Sequence, residues 1–185
     1  RSHDVLVLHA GAVLTPGGSL IAITGRSDDG KSTLVAALIQ AGCDYLGDES
    51  IAFGPDLRPF SYPKPLTLDP NSQALLALPE RPSQSIGLEE IRSDARRVYR
   101  TASPVDAVIA CAYRPDQQFT TQRLDQRPAL GELCSNVLNL ERSGPEGLTA
   151  LCNLAATKPV WKVVHPSVDV AVPWILGLES AFAVS

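Results

Sequence analysis

The chain has 185 residues, 44% hydrophobic and 19% charged, a balance that excludes a disordered tail and a fibrous repeat. Sixteen Lys and Arg against 20 Asp and Glu give a formal charge of −4, and no basic stripe is present, so a nucleic-acid partner is not expected. A chain this long buries roughly 70% of its unfolded surface and folds without covalent staples.

Val5 to Leu8 opens the chain with apolar residues. Ala12–Leu14 and Leu20–Thr24 then flank the turn Pro16-Gly17-Gly18, the pattern of a hairpin feeding a buried strand. From Lys31 the spacing becomes helical, with Leu34, Ala37, Leu38 and Ala41 on one face and Gly42 as the stop. Asp44–Gly47 and Ser50–Phe53 are short strand candidates, and the proline-dense stretch 55–82 predicts loops and edge strands. Glu89–Arg100 fits a short helix or an extended segment equally well. Val105–Tyr113 has the apolar run of a strand covered on both faces. Leu130–Leu140 and Gly147–Ala156 carry helical spacing, Val160–Val164 returns to strand, and Trp161 and Trp174 sit in apolar stretches suited to core packing.

Cys43, Cys111, Cys134 and Cys152 form no Cys-x-x-Cys pair and have no histidine at zinc spacing, so reduced thiols are expected. No basic-then-apolar leader opens the sequence, and the apolar stretch Val168–Leu178 is too short to span a bilayer and contains Pro173. A cytoplasmic protein with no membrane partner is the expectation. The absence of methionine means Arg1 is not a translational start, which fits a single α/β domain, 1–185, trimmed from a longer chain.

Gly25-Arg26-Ser27-Asp28-Asp29-Gly30-Lys31-Ser32-Thr33 fits Gly-x4-Gly-Lys-Ser/Thr and lies between an apolar strand and an amphipathic helix. Glycines let successive backbone N–H groups turn inward around phosphate oxygens, and a helix N-terminus presents partial positive charge to them. Gly25, Ser27, Gly30, Lys31, Ser32 and Thr33 are therefore candidate nucleotide contacts, with Lys31 bridging the β and γ phosphates and the Ser32 hydroxyl on Mg²⁺. Asp28 and Asp29 are unusual in such a loop. Asp28 fits a first-turn acid offsetting the helix dipole, whereas Asp29 lies closer to the phosphates as a contact candidate. Asp48 and Glu49 follow the next strand candidate. There one carboxylate holds Mg²⁺ through water while the other accepts a hydroxyl proton; the plainer alternative is a polar turn.

His9-Ala10-Gly11, the Gly25–Thr33 loop and Gly47-Asp48-Glu49, in this order and spacing, resemble the C-terminal catalytic domain of HPr kinase/phosphorylase and its smaller relatives. The second glycine-containing signature of full HPr kinases is met here only by Ile86-Gly87-Leu88-Glu89-Glu90, so the smaller relatives are more similar. The resemblance implies an α/β P-loop kinase domain with a central mixed sheet, using ATP and Mg²⁺. By the same likeness Asp48 activates the acceptor hydroxyl, His9 stands near the reaction centre and Glu49 near the metal. Tyr62-Pro63-Lys64-Pro65-Leu66 is similar to a Pro-Lys-Pro element of these relatives and implies that Lys64 faces the acceptor; a solvated lysine is the alternative.

Arg114 directly follows the apolar strand, at the sheet edge where ligands bind, and is the first choice for a cation at the developing charge among Arg92, Arg96, Arg97, Arg100, Arg114, Arg123 and Arg127. The sequence thus predicts transfer of the γ-phosphoryl of ATP to a hydroxyl, on a peptide or protein serine or on a small metabolite. The alternative is a nucleotide-dependent ATPase or switch with water as its acceptor. Between monomer and homo-oligomer the sequence does not choose.

Overall fold

A computed structural model describes residues 5–60, 64–79, 84–99, 101 and 103–178. The opening apolar runs form β1 (Leu6–Leu8), β2 (Ala10–Leu14) and β3 (Leu20–Thr24). β2 and β3 pair as an antiparallel hairpin, with the Ser19 amide donating to the Thr15 hydroxyl at 2.9 Å across the turn. β3 is buried along its whole length and runs into the loop that precedes α1 (Lys31–Gln40). α1 ends at Ala41, and Gly42, at φ 109°, turns the chain into β4 (Asp44–Gly47).

β5 (Ile51–Phe53) and β6 (Pro59–Phe60) join β1 in a small antiparallel sheet, and β7 (Leu66–Thr67) pairs with β8 (Ser85–Ile86). Between these last two lies α2 (Pro70–Leu75), and after them the single turn α3 (Leu88–Ile91). β9 (Ala107–Tyr113), β10 (Thr120–Leu124), α4 (Gln126–Cys134), α5 (Leu140–Thr157), β11 (Val160–His165) and α6 (Val168–Gly177) complete the order.

The central sheet has six strands in the order β10-β11-β9-β3-β2-β4. β3, β9 and β11 are parallel, whereas β2 is antiparallel to both β3 and β4. β4 therefore points the same way as β3, and the C-terminal ends of β3, β4, β9 and β11 share one edge. Strand alternation builds a core on each face. Ile21, Ile23 and Ile109 join α1 and α6 through Leu34, Leu38 and Ile175. Leu20, Ala22 and Val108 face α4, α5 and the small sheet through Leu133, Leu151 and Phe53. Trp161 and Trp174 meet edge to face, centroids 5.3 Å apart, against the first core.

One irregularity sits next to the shared edge. Ala12 pairs with Gly47 but Val13 pairs with Tyr45, so Leu46 is an extra residue bulged out of the β4 ladder.

Several boundaries differ from the sequence expectation. The stretch 55–82 is not only loop and edge strand: Pro70 opens α2 at a position where a missing N–H costs nothing, and the Asp69 carboxylate caps the Asn71 and Ser72 amides at 2.8 and 3.0 Å. The helix expected over 130–140 is α4, which starts at Gln126 and ends at Cys134. Residues 135–139 leave it to run beside β1, where the Leu138 amide donates to the Val7 carbonyl. α5 is kinked at Gly144, φ 61°, ahead of Pro145. Val168–Leu178, seen in the sequence only as an apolar stretch, contains helix α6. Tyr62, Pro63 and Arg100 lie outside the described residues. All four cysteines are free thiols, Cys43 and Cys111 buried. No helix among the described residues is long and apolar enough to cross a membrane.

Candidate active site

The loop from Gly25 to Gly30 joins the end of β3 to the start of α1 at the shared sheet edge. Gly25 is required by contact as much as by conformation: a Cβ there would lie 2.7 Å from the Cys111 carbonyl oxygen of β9. Gly30 caps α1 in the left-handed region, φ 81°, with the Tyr113 side chain against it. The first-turn N–H groups of α1 have no intrahelical acceptor and face the loop. Lys31, only 7% exposed, turns its ammonium back into the loop and donates to the Arg26 carbonyl at 2.9 Å. Ser32 and Thr33 are half-buried, and Ser27 is exposed at the crown.

The two loop aspartates diverge. Asp28, at φ 66°, is exposed and lies before the helix, whose first turn contains no acid. Asp28 is therefore not the first-turn acid that the sequence suggests, since it stands two residues before the Gly30 cap. Asp29 is buried, accepting the Arg26 amide on Oδ2 and the Arg114 guanidinium on Oδ1, both at 2.9 Å. Arg114 directly follows β9 at the shared sheet edge, also donates to the Tyr113 carbonyl and is thus engaged in holding the loop against β9.

At the end of β4, Asp48 is 5% exposed and Glu49, at φ 74°, is exposed. Ser32 and Lys31 both lie close enough to the Asp48 carboxylate to favour its charged form. Asp48 Oδ1 is buried with no hydrogen-bond partner. Burial dominates and pushes the Asp48 carboxyl above the usual carboxylate range, against the hydrogen bonds that favour its charged form. Gly11 makes room for it: a Cβ at Gly11 would stand 3.2 Å from Asp48 Oδ1 and 2.5 Å from Val35 Cγ2.

His9 lies on the bend between β1 and β2, with its amide donating to the Asn136 carbonyl at 2.7 Å. Burial, then Lys31, lower its pKa, while Asp48 and Glu49 raise it. His9, Lys31, Asp48 and Glu49 thus form one electrostatically connected group. Lys64 pairs with Glu49 through its ammonium, and its carbonyl accepts the buried Tyr45 hydroxyl at 3.0 Å.

The described residues contain no cluster of three or more His, Cys, Asp or Glu able to hold a metal unaided. Magnesium does not need such a cage: one or two protein oxygens together with substrate phosphates and water suffice. Ser32, Glu49 and the unpartnered oxygen of Asp48 fit that requirement.

The sequence left four neighbours without a role. Tyr113 and His165 terminate β9 and β11 on the far side of the loop from Asp48, and their rings are 5.8 Å apart. The α2 residues Asp69 and Ser72 reach the loop helix through the Thr33 hydroxyl, 2.7 Å from the Ser72 hydroxyl, which in turn donates to Asp69. Asp69-Pro70 is a legible helix-start signal, whereas the placement of His165 depends on strand pairing at long range.

These elements define a mixed α/β fold whose central six-stranded sheet carries a glycine-rich loop and buried acid at one edge. Among solved structures, the Hpr(Ser) kinase/phosphatase from Coxiella burnetii is similar in fold, with a TM-score of 0.53 and 14% sequence identity over 96% of each chain. The chain therefore has a distant HPr kinase-like fold. No protein-family model matches the sequence. No curated protein matches it either.

Proposed function

We propose that the protein is an ATP-dependent phosphotransferase that moves the γ-phosphoryl group onto a hydroxyl acceptor. The observation that carries this reading is the buried Asp48, whose Oδ1 has no protein partner, joined through Ser32 to the loop that presents Lys31. An unpartnered buried carboxylate with a raised pKa beside an anion cradle suits a proton acceptor working near neutral pH.

In the reaction, the first-turn N–H groups of α1 and Lys31 hold the phosphates and offset the charge of the transferring group. Ser32 and Glu49 would hold Mg²⁺, which would supply further neutralisation of the phosphate charge. Asp48 takes the proton of the acceptor hydroxyl as the oxygen–phosphorus bond forms. The bond from the γ phosphorus to the β–γ bridging oxygen breaks, and ADP leaves with that electron pair. His9, held neutral by burial, orients the acceptor oxygen. Arg114 supports the loop through Asp29, and Lys64, whose ammonium pairs with Glu49, faces the acceptor in this reading.

The reading is tested by incubating the protein with γ-labelled ATP, Mg²⁺ and panels of seryl peptides and hydroxylated metabolites, followed by mass spectrometry of the acceptors. Label transfer that needs Asp48 supports it. ATP hydrolysis at one rate with every acceptor, with no labelled product, would replace it with a nucleotide switch acting on water.

A further inference from the structure

The second residue of the loop, Arg26, is exposed, yet its backbone is held at both polar groups. Its amide donates to Asp29 Oδ2 and its carbonyl accepts the Lys31 ammonium, both at 2.9 Å, while the Asp29 amide reaches the same carbonyl at 3.3 Å. None of these bonds involves the guanidinium. The Arg26 side chain therefore springs from a fixed point beside the ammonium that faces the anion cradle.

Neighbouring cations are committed elsewhere. Arg114 donates to Asp29 Oδ1 and to the Tyr113 carbonyl, and the Lys64 ammonium pairs with Glu49. Two aspartates follow Arg26 within three residues, but Asp29 takes Arg114 as its cation, and Arg26 makes no ion pair or side-chain hydrogen bond with any described residue. An unpaired arginine on a surface is ordinary. One whose own carbonyl touches the phosphate-facing ammonium stands where negative charge collects during transfer. A phosphoryl group in flight spreads its charge over three outer oxygens, and a planar guanidinium meets two such oxygens at once.

From these observations, and resting on the phosphotransferase reading, we infer that Arg26 is a catalytic residue whose guanidinium donates to the γ-phosphoryl oxygens during transfer. The cation expected of Arg114 is thus supplied from within the loop, and Arg114 keeps the separate task of holding Asp29. Bond changes are those of the transfer itself: the acceptor oxygen bonds to phosphorus as its proton passes to Asp48, and the bridging oxygen leaves with its electron pair on ADP. Arg26 stays protonated throughout.

Calorimetric titration of wild type, Arg26→Ala and Arg114→Ala tests the assignment, with ADP and with ADP plus aluminium fluoride, a mimic of the planar transferring group, at fixed Mg²⁺. Wild type should bind the mimic more tightly than ADP. In Arg26→Ala the dissociation constant should rise about 10²-fold for the mimic and stay within about twofold for ADP. Its Tm should move by less than about 1 °C, because the bonds at residue 26 come from the backbone. Arg114→Ala should weaken both ligands alike. Unchanged affinity of Arg26→Ala for the mimic, equal losses for the two ligands, no gain from aluminium fluoride in wild type, or a selective loss in Arg114→Ala instead would overturn the inference and leave the nucleotide cradle standing. Failure of wild type to bind ADP at all would overturn the phosphotransferase reading with it.

Discussion

Arg114 Nη1 stands 2.9 Å from Asp29 Oδ1, so the residue after β9 grips the middle of the loop that follows β3. The same carboxylate accepts the Arg26 amide, and Lys31 donates to the Arg26 carbonyl. The loop is thereby shaped before any anion arrives. Arg114→Ala leaves Asp29, whose side chain is only 10% exposed, without its cation. Since Arg114 itself is 45% exposed, the expected loss is about 1 kcal/mol, a Tm lower by about 2–4 °C. Nucleotide affinity should fall about fivefold by titration, because an unclamped loop must be ordered on binding. An unchanged Tm together with unchanged affinity would refute the clamp.

Asp48→Asn should separate stability from turnover. Turnover falls roughly 10²- to 10⁴-fold with loss of the base, while ATP affinity stays within about threefold. The same substitution removes a buried charge whose oxygen lacks a partner, so Tm should rise by about 2–4 °C at pH 7, roughly 1 kcal/mol. A lower Tm in the variant would show that the carboxylate contributes net stability.

Acid pH should act on activity and on stability in opposite senses through this same group. Turnover falls as pH drops through the raised pKa of Asp48, up to tenfold per unit, because the protonated acid accepts no proton. Stability moves the other way. Between the ordinary value of 3.8 and the raised folded value the native state binds more protons than the unfolded chain, so this group's destabilisation is relieved as pH falls. The Tm advantage of Asp48→Asn should accordingly shrink from neutral pH downward and vanish below about 3.8. Parallel melting curves of the two proteins across pH 3–8 measure it, and a constant difference would contradict the assignment.

Gly11→Ala tests the space around the base. The added methyl meets Val35 at 2.5 Å and Asp48 Oδ1 at 3.2 Å, so either the helix or the carboxylate must give way. The expected result is a loss of about 1–3 kcal/mol in stability, with turnover reduced well beyond any change in nucleotide binding. Equal losses in kcat and in affinity would point to damage of the loop instead.

Lys64→Ala tests the pairing with Glu49. Removing the ammonium frees Glu49, so half-maximal activity should need severalfold less Mg²⁺ while KM for the acceptor rises. The exposed ion pair itself adds little stability, and Tm should move by less than about 1 °C. An unaltered Mg²⁺ requirement would place Glu49 outside metal binding.

Much of this site was legible because its parts are local. The Gly25–Thr33 spacing, the apolar β3 and the helical period after Lys31 adjoin one another, and the short return from α1 puts Asp48 and Glu49 at the end of the next strand. Other features depend on information that local pattern does not hold. Prolines between 55 and 82 concealed α2, although Asp69 and Pro70 occupy the cap and first position where such residues favour a helix. β10, Thr-Thr-Gln-Arg-Leu, is an exposed edge strand without apolar alternation, so it gave no strand signal. Pro173 and the nearly continuous apolar character of α6 obscured its period. The opposite fates of Asp28 and Asp29 follow from one positive φ, and His165 reaches the loop's far side only because β11 pairs with β9 over a separation of some fifty residues.

The extra residue Leu46 in β4 separates two stretches of ladder, Val13 and Leu14 with Tyr45 and Asp44 on one side and Ala12 with Gly47 on the other. A bulge of this kind bends its strand and increases the local twist just before the chain reaches Asp48. The direction in which the buried carboxylate leaves the sheet is thus a property of the backbone as well as of the amino acid chosen.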